Sequence, residues 1–128
     1  MLIDPKLEQD SIFIKELELC QLRLLPDQEN PWFILIPKRE GAIDWCDLSK
    51  TDQHLLTDEI NFVCNLLKTN STPDKLNIGS LGNMVPQLHI HIIARYINDR
   101  AWPNAIWGTS AEMPFDMESV KRWSQLVM

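Results

Sequence analysis

A chain of 128 residues is long enough for one domain with a true core. Its formal charge of −6 argues against non-specific nucleic-acid binding, which needs a basic surface, but leaves room for an anionic ligand in a donor-rich pocket. No apolar run approaches the roughly 20 residues that span a bilayer, Met1 to Lys6 does not read as a signal peptide, and Cys20, Cys46 and Cys64 are too scattered for a disulfide framework. The expected setting is the cytoplasm, with neither membrane nor nucleic acid as a partner.

In chain order, residues 1 to 10 are polar around Pro5 and predict an arm or a short helix. Ser11 to Glu16 reads as strand or turn. Leu17 and Leu19 alternate with Glu18, and Leu22 and Leu24 with Gln21 and Arg23, so Leu17 to Leu25 predicts a strand whose parity slips at a bulge near Cys20. Pro26 to Pro31 has turn composition. Trp32 to Ile36 is a nearly all-apolar strand closed by Pro37, which makes an antiparallel hairpin with the strand before it.

Lys38 to Trp45 reads as a loop. Ser49 is a helix N-cap, with Asp52 three residues on. Leu55, Leu56, Ile60, Val63, Leu66 and Leu67 then recur at helical spacing, predicting an amphipathic helix over residues 50 to 69 that covers one face of a sheet. His54, in its first turn, reads as an exposed or half-covered histidine. Lys75 to Ser80 is a strand and Leu81 to Pro86 a tight loop. Ala101 to Gly108 is irregular, with Trp102 and Trp107 lying over something apolar. Asp116 caps a last short helix, Met117 to Leu126. No internal repeat, linker or low-complexity tract divides the chain, so residues 1–128 read as one domain.

The informative stretch is Gly82 to Arg95. Leu88, Ile90 and Ile92 alternate with Gln87, His89 and His91, which is the period of a strand. The apolar set points into a core; Gln87, His89, His91 and Arg95 share the other face. Imidazole there can act as nucleophile, acid, base or metal ligand, or be no more than a partly buried side chain. A metal would need a third ligand from elsewhere, such as His54 or a carboxylate, and no Cys-x-x-Cys or His-Glu-x-x-His spacing supplies one.

Gln87-Leu88-His89-Ile90-His91-Ile92-Ile93 resembles the signature of the histidine triad (HIT) family, with Gln87 in place of the first histidine. Pro31 to Lys38, the Asn77 to Gly82 strand and loop, and Arg95 followed by Ala101-Trp102-Pro103 resemble further family segments in the same order. The resemblance runs from about Leu19 to Gly108. It implies an α+β, HIT-like fold: an antiparallel sheet of about five strands with one main helix and a short C-terminal helix. It implies a two-fold homodimer with sheets joined edge to edge.

The activity it implies is attack by His89 on the α-phosphate of a nucleotide derivative, a dinucleoside polyphosphate or nucleoside phosphoramidate. The nucleotidyl-histidine is then cleaved by water, with no metal or other cofactor. His91 would donate to a phosphate oxygen, and Gly82 and Asn83 would approach the phosphate. Asn77 would lie near phosphate or ribose, Asp27 would accept from ribose hydroxyls, and Leu22, Leu24 and Leu35 would wall the nucleoside. Arg95 reads as a substrate contact or a surface arginine at a strand end. Gln87 would be a third catalytic-site residue, able to donate or accept a hydrogen bond but carrying no titratable proton, and Trp32 stands where several members have a histidine; it would stack on a base or pack. The alternatives are a nucleotide-binding module with little catalysis and a His-x-His metal protein.

Overall fold

Alternation along the strands decides what lies on each side of the sheet. The computed structural model describes residues 1–110 and 116–128. Its strands are β1 (Ile12–Glu16), β2 (Cys20–Leu24), β3 (Trp32–Pro37), β4 (Lys75–Gly79) and β5 (Ile90–Arg95). They form one sheet in the order β1-β2-β3-β5-β4, every neighbouring pair antiparallel. The helices are α1 (Pro5–Asp10), α2 (Lys50–Ser71) and α3 (Met117–Leu126). This is the expected α+β class with a five-stranded antiparallel sheet, and residues Pro5 to Asp10 of the N-terminal segment prove to be helical.

Leu22, Leu24, Phe33, Leu35, Ile90, Ile92 and Ala94 share one face and pack on Leu56, Ile60, Val63 and Leu67 of α2. Each such fully buried aliphatic side chain is worth roughly 1.5–3 kcal/mol of transfer free energy. The chain reaches this helix through an N-cap: Ser49 Oγ accepts from the Asp52 backbone N–H at 3.1 Å. Helix α3 joins the same face, with Trp123 edge-on to Phe33. On the other face, Leu7 of α1 packs with Trp32, Ile34, Ile36, Ile93 and Ile106. Both faces are therefore covered, which is why β3 and β5 read as buried at every position.

The start of β2 and the place of the irregular register differ from expectation. Leu17 to Leu19 is a tight turn between β1 and β2, and the Leu17 N–H reaches the Cys20 carbonyl at 2.8 Å. The parity slip near Cys20 is that turn, whereas the irregular register falls on β1 between Phe13 and Lys15. Buried Glu59 of α2 accepts from the backbone N–H groups of Leu19 (2.8 Å) and Cys20 (2.9 Å), so a helix carboxylate closes the hairpin. Arg23, also buried, donates to the carbonyls of Glu8 and Ser11 at the end of α1. It thus gives the helix C-terminus the cation that the helix itself lacks.

The far end of β5 is held by charge. Arg95 Nε and Nη2 donate to the two carboxylate oxygens of Asp99 at 2.8 and 3.1 Å, with both side chains almost fully buried. Arg95 also donates to Asn77 Oδ1 on β4 and to the Asn104 carbonyl, and it lies over the Trp102 ring. Asp99 further accepts from Asn30 Nδ2 and from the backbone of Tyr96, Ala101 and Trp102. The Arg95 guanidinium and these donors hold its carboxyl well below the usual carboxylate range. Removing one member leaves an uncompensated buried charge. Asp99→Ala is expected to cost roughly 3–5 kcal/mol, read as a lower urea midpoint.

Candidate active site

His91 lies within β5, across from Ile34 of β3 on one side and Gly79 of β4 on the other. It therefore faces away from α2. His89 precedes the strand, where the neighbouring Leu88 N–H is anchored to the Ala42 carbonyl at 3.0 Å. The two imidazole centroids are 5.0 Å apart, and both side chains are largely buried.

The neighbours of each ring determine its tautomer. His89 Nδ1 is 2.7 Å from the Gln87 backbone carbonyl. A carbonyl only accepts, so Nδ1 carries a hydrogen, and in the neutral tautomer the lone pair is on Nε2. At His91 the logic is reversed. Trp32 Nε1 donates to His91 Nδ1 at 2.9 Å, and an indole N–H only donates. Neutral His91 thus holds its hydrogen on Nε2. Burial, with His89 adding to it, pushes the His91 pKa down from 6.5 to about 4. As neutral tautomers, the first ring offers a lone pair at Nε2 and the second a hydrogen.

A cavity of about 280 Å³ opens at these rings, lined by Leu81, Gly82, Asn83, Met84, Val85, His89 and His91. Gly82 has φ +70°, a conformation that favours glycine. Trp107 stands edge-on to His91 and Trp32 at centroid distances of 5.6 and 6.1 Å. Glycine at position 79 makes room for it, because a Cβ there would lie 3.1 Å from Trp107 Cη2.

Of the residues singled out in the sequence, His89, His91, Gly82 and Asn83 meet at this cavity. The others do not. Leu22, Leu24 and Leu35 lie in the core on the α2 face, opposite the histidines, and cannot wall this site. Asp27 is committed to its own turn, accepting from Glu29 and Asn30 N–H groups and pairing with Arg100 at 2.7 Å. Asn77 and Arg95 are on the histidine face but bond each other, and Arg95 is a buried strut rather than a surface arginine. His54 is exposed on α2.

Gln87 also departs from expectation. Strand β5 begins only at Ile90, so the alternation does not carry the Gln87 side chain to the histidine cavity. Its Oε1 accepts from the Asp4 N–H at 2.7 Å and its Nε2 donates to the Leu2 carbonyl at 3.2 Å. It lines a different cavity of about 490 Å³ beside the N-terminal segment and residues 39 to 43. Trp32 packs, and also supplies a hydrogen bond that its composition alone did not disclose. Trp107 was legible only as a tryptophan over something apolar; small Gly79 opposite His91 is the signal once the register is known.

Two outcomes follow from this geometry. Between pH 6.5 and about 4 the unfolded chain binds a proton at position 91 that the folded chain refuses, so stability falls as pH falls through that window. From about pH 7 to about pH 4.5 this group accounts for roughly 2 kcal/mol. Urea midpoints of His91→Asn should show an acid loss smaller by about that amount. In Gln87→Ala, the Asp4 amide should exchange with deuterium faster than in the wild type, while core amides of β3 and β5 stay protected.

Comparison with known proteins agrees with this architecture. A family model described as HIT domain matches residues 6–98, most of the chain and both histidines. A histidine triad protein from Sinorhizobium meliloti is 41% identical, with a TM-score of 0.93 over 99% of this chain and 94% of that one. One from Bradyrhizobium japonicum is 38% identical, with a TM-score of 0.93 over 98% and 94%. A third, from Marinobacter aquaeolei, is 32% identical, with a TM-score of 0.92 over 99% and 93%. No curated protein matches the chain. By the family match and by these three structures, the chain belongs to the HIT domain family.

Proposed function

We propose that this protein is a HIT-type nucleotide hydrolase or nucleotidyltransferase acting through a nucleotidyl-histidine. The observation that carries the reading is the Gln87 carbonyl on His89 Nδ1, which directs the lone pair of the neutral tautomer to Nε2, on a ring that lines the cavity. In the proposed reaction, His89 Nε2 bonds to the α-phosphorus of a nucleoside phosphoramidate or dinucleoside polyphosphate. The phosphorus–leaving-group bond breaks, and the leaving group departs with the bonding pair. Water then attacks the same phosphorus; a P–O bond forms, and the P–Nε2 bond breaks with its electron pair returning to Nε2. The water proton passes to the leaving group or to solvent, and the mononucleotide is released with His89 back in its starting tautomer. His91 Nε2–H donates to a non-bridging oxygen. Gly82 and Asn83 bring backbone and amide donors to the phosphate.

In this scheme Gln87 acts through its backbone carbonyl, while its side chain serves the N-terminal segment. Asn77 and Arg95 support the site from behind, and neither Asp27 nor Leu22 touches substrate. No step calls for a metal, and among the described residues no group of three or more His, Cys, Asp or Glu side chains could hold one. The proposed assembly is a homodimer in the cytoplasm. Strand β4 is a sheet edge carrying half-exposed Ile78, a surface suited to strand pairing with a second copy.

A specific observation favours a second reading, nucleotide binding with little turnover. The Gln87 side chain has no titratable proton, and its amide is already engaged at both ends. A panel of adenylyl and guanylyl phosphoramidates and dinucleoside polyphosphates separates the two. Wild type is expected to turn over at least one of them equally with and without chelator, and His89→Ala to lose at least about a thousandfold in kcat. Bound nucleotide without turnover in the wild type would leave the binding reading. Turnover abolished by chelator would overturn the metal-free mechanism.

A further inference from the structure

We propose that Trp32 is a positioning residue that fixes His91 as a hydrogen donor toward the ligand's phosphate. The phosphate contact rests on the nucleotide reading above; the state of the ring does not.

Imidazole can place its hydrogen on either nitrogen, and only one placement suits a phosphoryl oxygen, which accepts. At His91 the choice is made from the β3 side. The Trp32 indole N–H has no lone pair to offer and no accessible proton equilibrium, so while it points at Nδ1 that nitrogen must accept. The bond is 2.9 Å long and buried, where a lost partner costs more than it does in water.

Trp32 cannot easily withdraw this donor. It is 7% exposed and packed among Leu7, Ile34, Ile36, Ile93 and Ile106, and β3 holds it opposite Ile93 of β5. The His91 ring is confined as well: Trp32 and Trp107 both meet it edge-on, and Trp107 has its place because Gly79 lacks a Cβ. The two histidines are therefore set to complementary states by different partners. A main-chain carbonyl sets His89 and a side-chain indole sets His91. Only the second depends on the identity of a side chain, so it can be removed by mutation.

Nitrogen NMR of uniformly labelled protein tests this directly. In the wild type, His91 should show a single neutral state with its hydrogen on Nε2, and a coupling through the hydrogen bond should link Trp32 Nε1 to His91 Nδ1. A wild-type His91 with its hydrogen on Nδ1, or with no such coupling, would overturn the proposal whatever any variant does. Trp32→Phe keeps most of the packing and removes the N–H; a mixture of the two tautomers is expected. Trp107→Phe alters the wall but not the bond and should keep the single state.

Affinity for adenosine or guanosine monophosphate, by calorimetry, should fall in Trp32→Phe by the fraction of His91 rings left in the Nε2–H state, about twofold for an even mixture. A single Nε2–H state persisting in Trp32→Phe would sink the positioning role. An unchanged affinity alongside mixed tautomers would remove the phosphate contact. Wild type that binds neither mononucleotide, yet shows the coupling, would instead count against the nucleotide reading and with it the ligand half of the proposal.

Discussion

The buried ion pair between Arg95 and Asp99 is the constraint on which the candidate site depends. It joins the end of β5 to the following turn and, through Asn77, to β4. Asp99 also gathers three backbone N–H groups, so residues 96 to 102 are folded around its carboxylate. The Asn104 carbonyl closes the same arginine. Trp107 comes from the segment that this network secures, and Trp107 meets His91. A charge pair at one end of the strand thus keeps an aromatic wall at the other. Such a pair adds little net stability compared with a well-packed apolar substitute, but it admits very few arrangements of the chain.

Among the described residues, no arginine, lysine or carboxylate lines the cavity. Arg23, Arg39, Arg95 and Arg100 all bond to protein partners, and none of them lines the space at His89 and His91. With a formal charge of −6 over the whole chain, long-range attraction does not bring an anion here. Recognition of a phosphate has to come from short-range donors: an imidazole N–H, an amide side chain and backbone N–H groups near a glycine. Their strength depends on direction, which makes the fixed tautomers important.

The alternation of Ile90 and Ile92 with His91 made β5 legible, because a strand buried on both faces still separates its side chains by parity. The α2 stripe was equally legible, since Leu56, Ile60, Val63 and Leu67 follow one helical face. The N-cap at Ser49 was readable from type and spacing. What escaped reading was long-range. Alternation says that Leu22 and Leu24 share a face, but not that this face is opposite the histidines. Projecting the pattern of β5 back to Gln87 failed because the ladder stops at Ile90, and the glutamine amide finds backbone more than 80 residues away. The Trp32–His91, Asp27–Arg100 and Asn77–Arg95 bonds likewise join distant segments, and no local pattern announces them.

The strand order has a consequence during synthesis. Strand β5 is the last to be made and must enter between β3 and β4, which are themselves far apart in sequence. Until it emerges from the ribosome, the Trp-Phe-Ile-Leu-Ile run of β3 has one unpaired edge and incomplete cover. This is the kind of surface on which nascent chains aggregate. Proline residues at positions 31 and 37 bracket the run, and proline cannot extend a growing cross-strand ladder. The histidine strand is therefore also the segment that closes the open edge of β3, so slow translation before residue 95 would prolong that exposure.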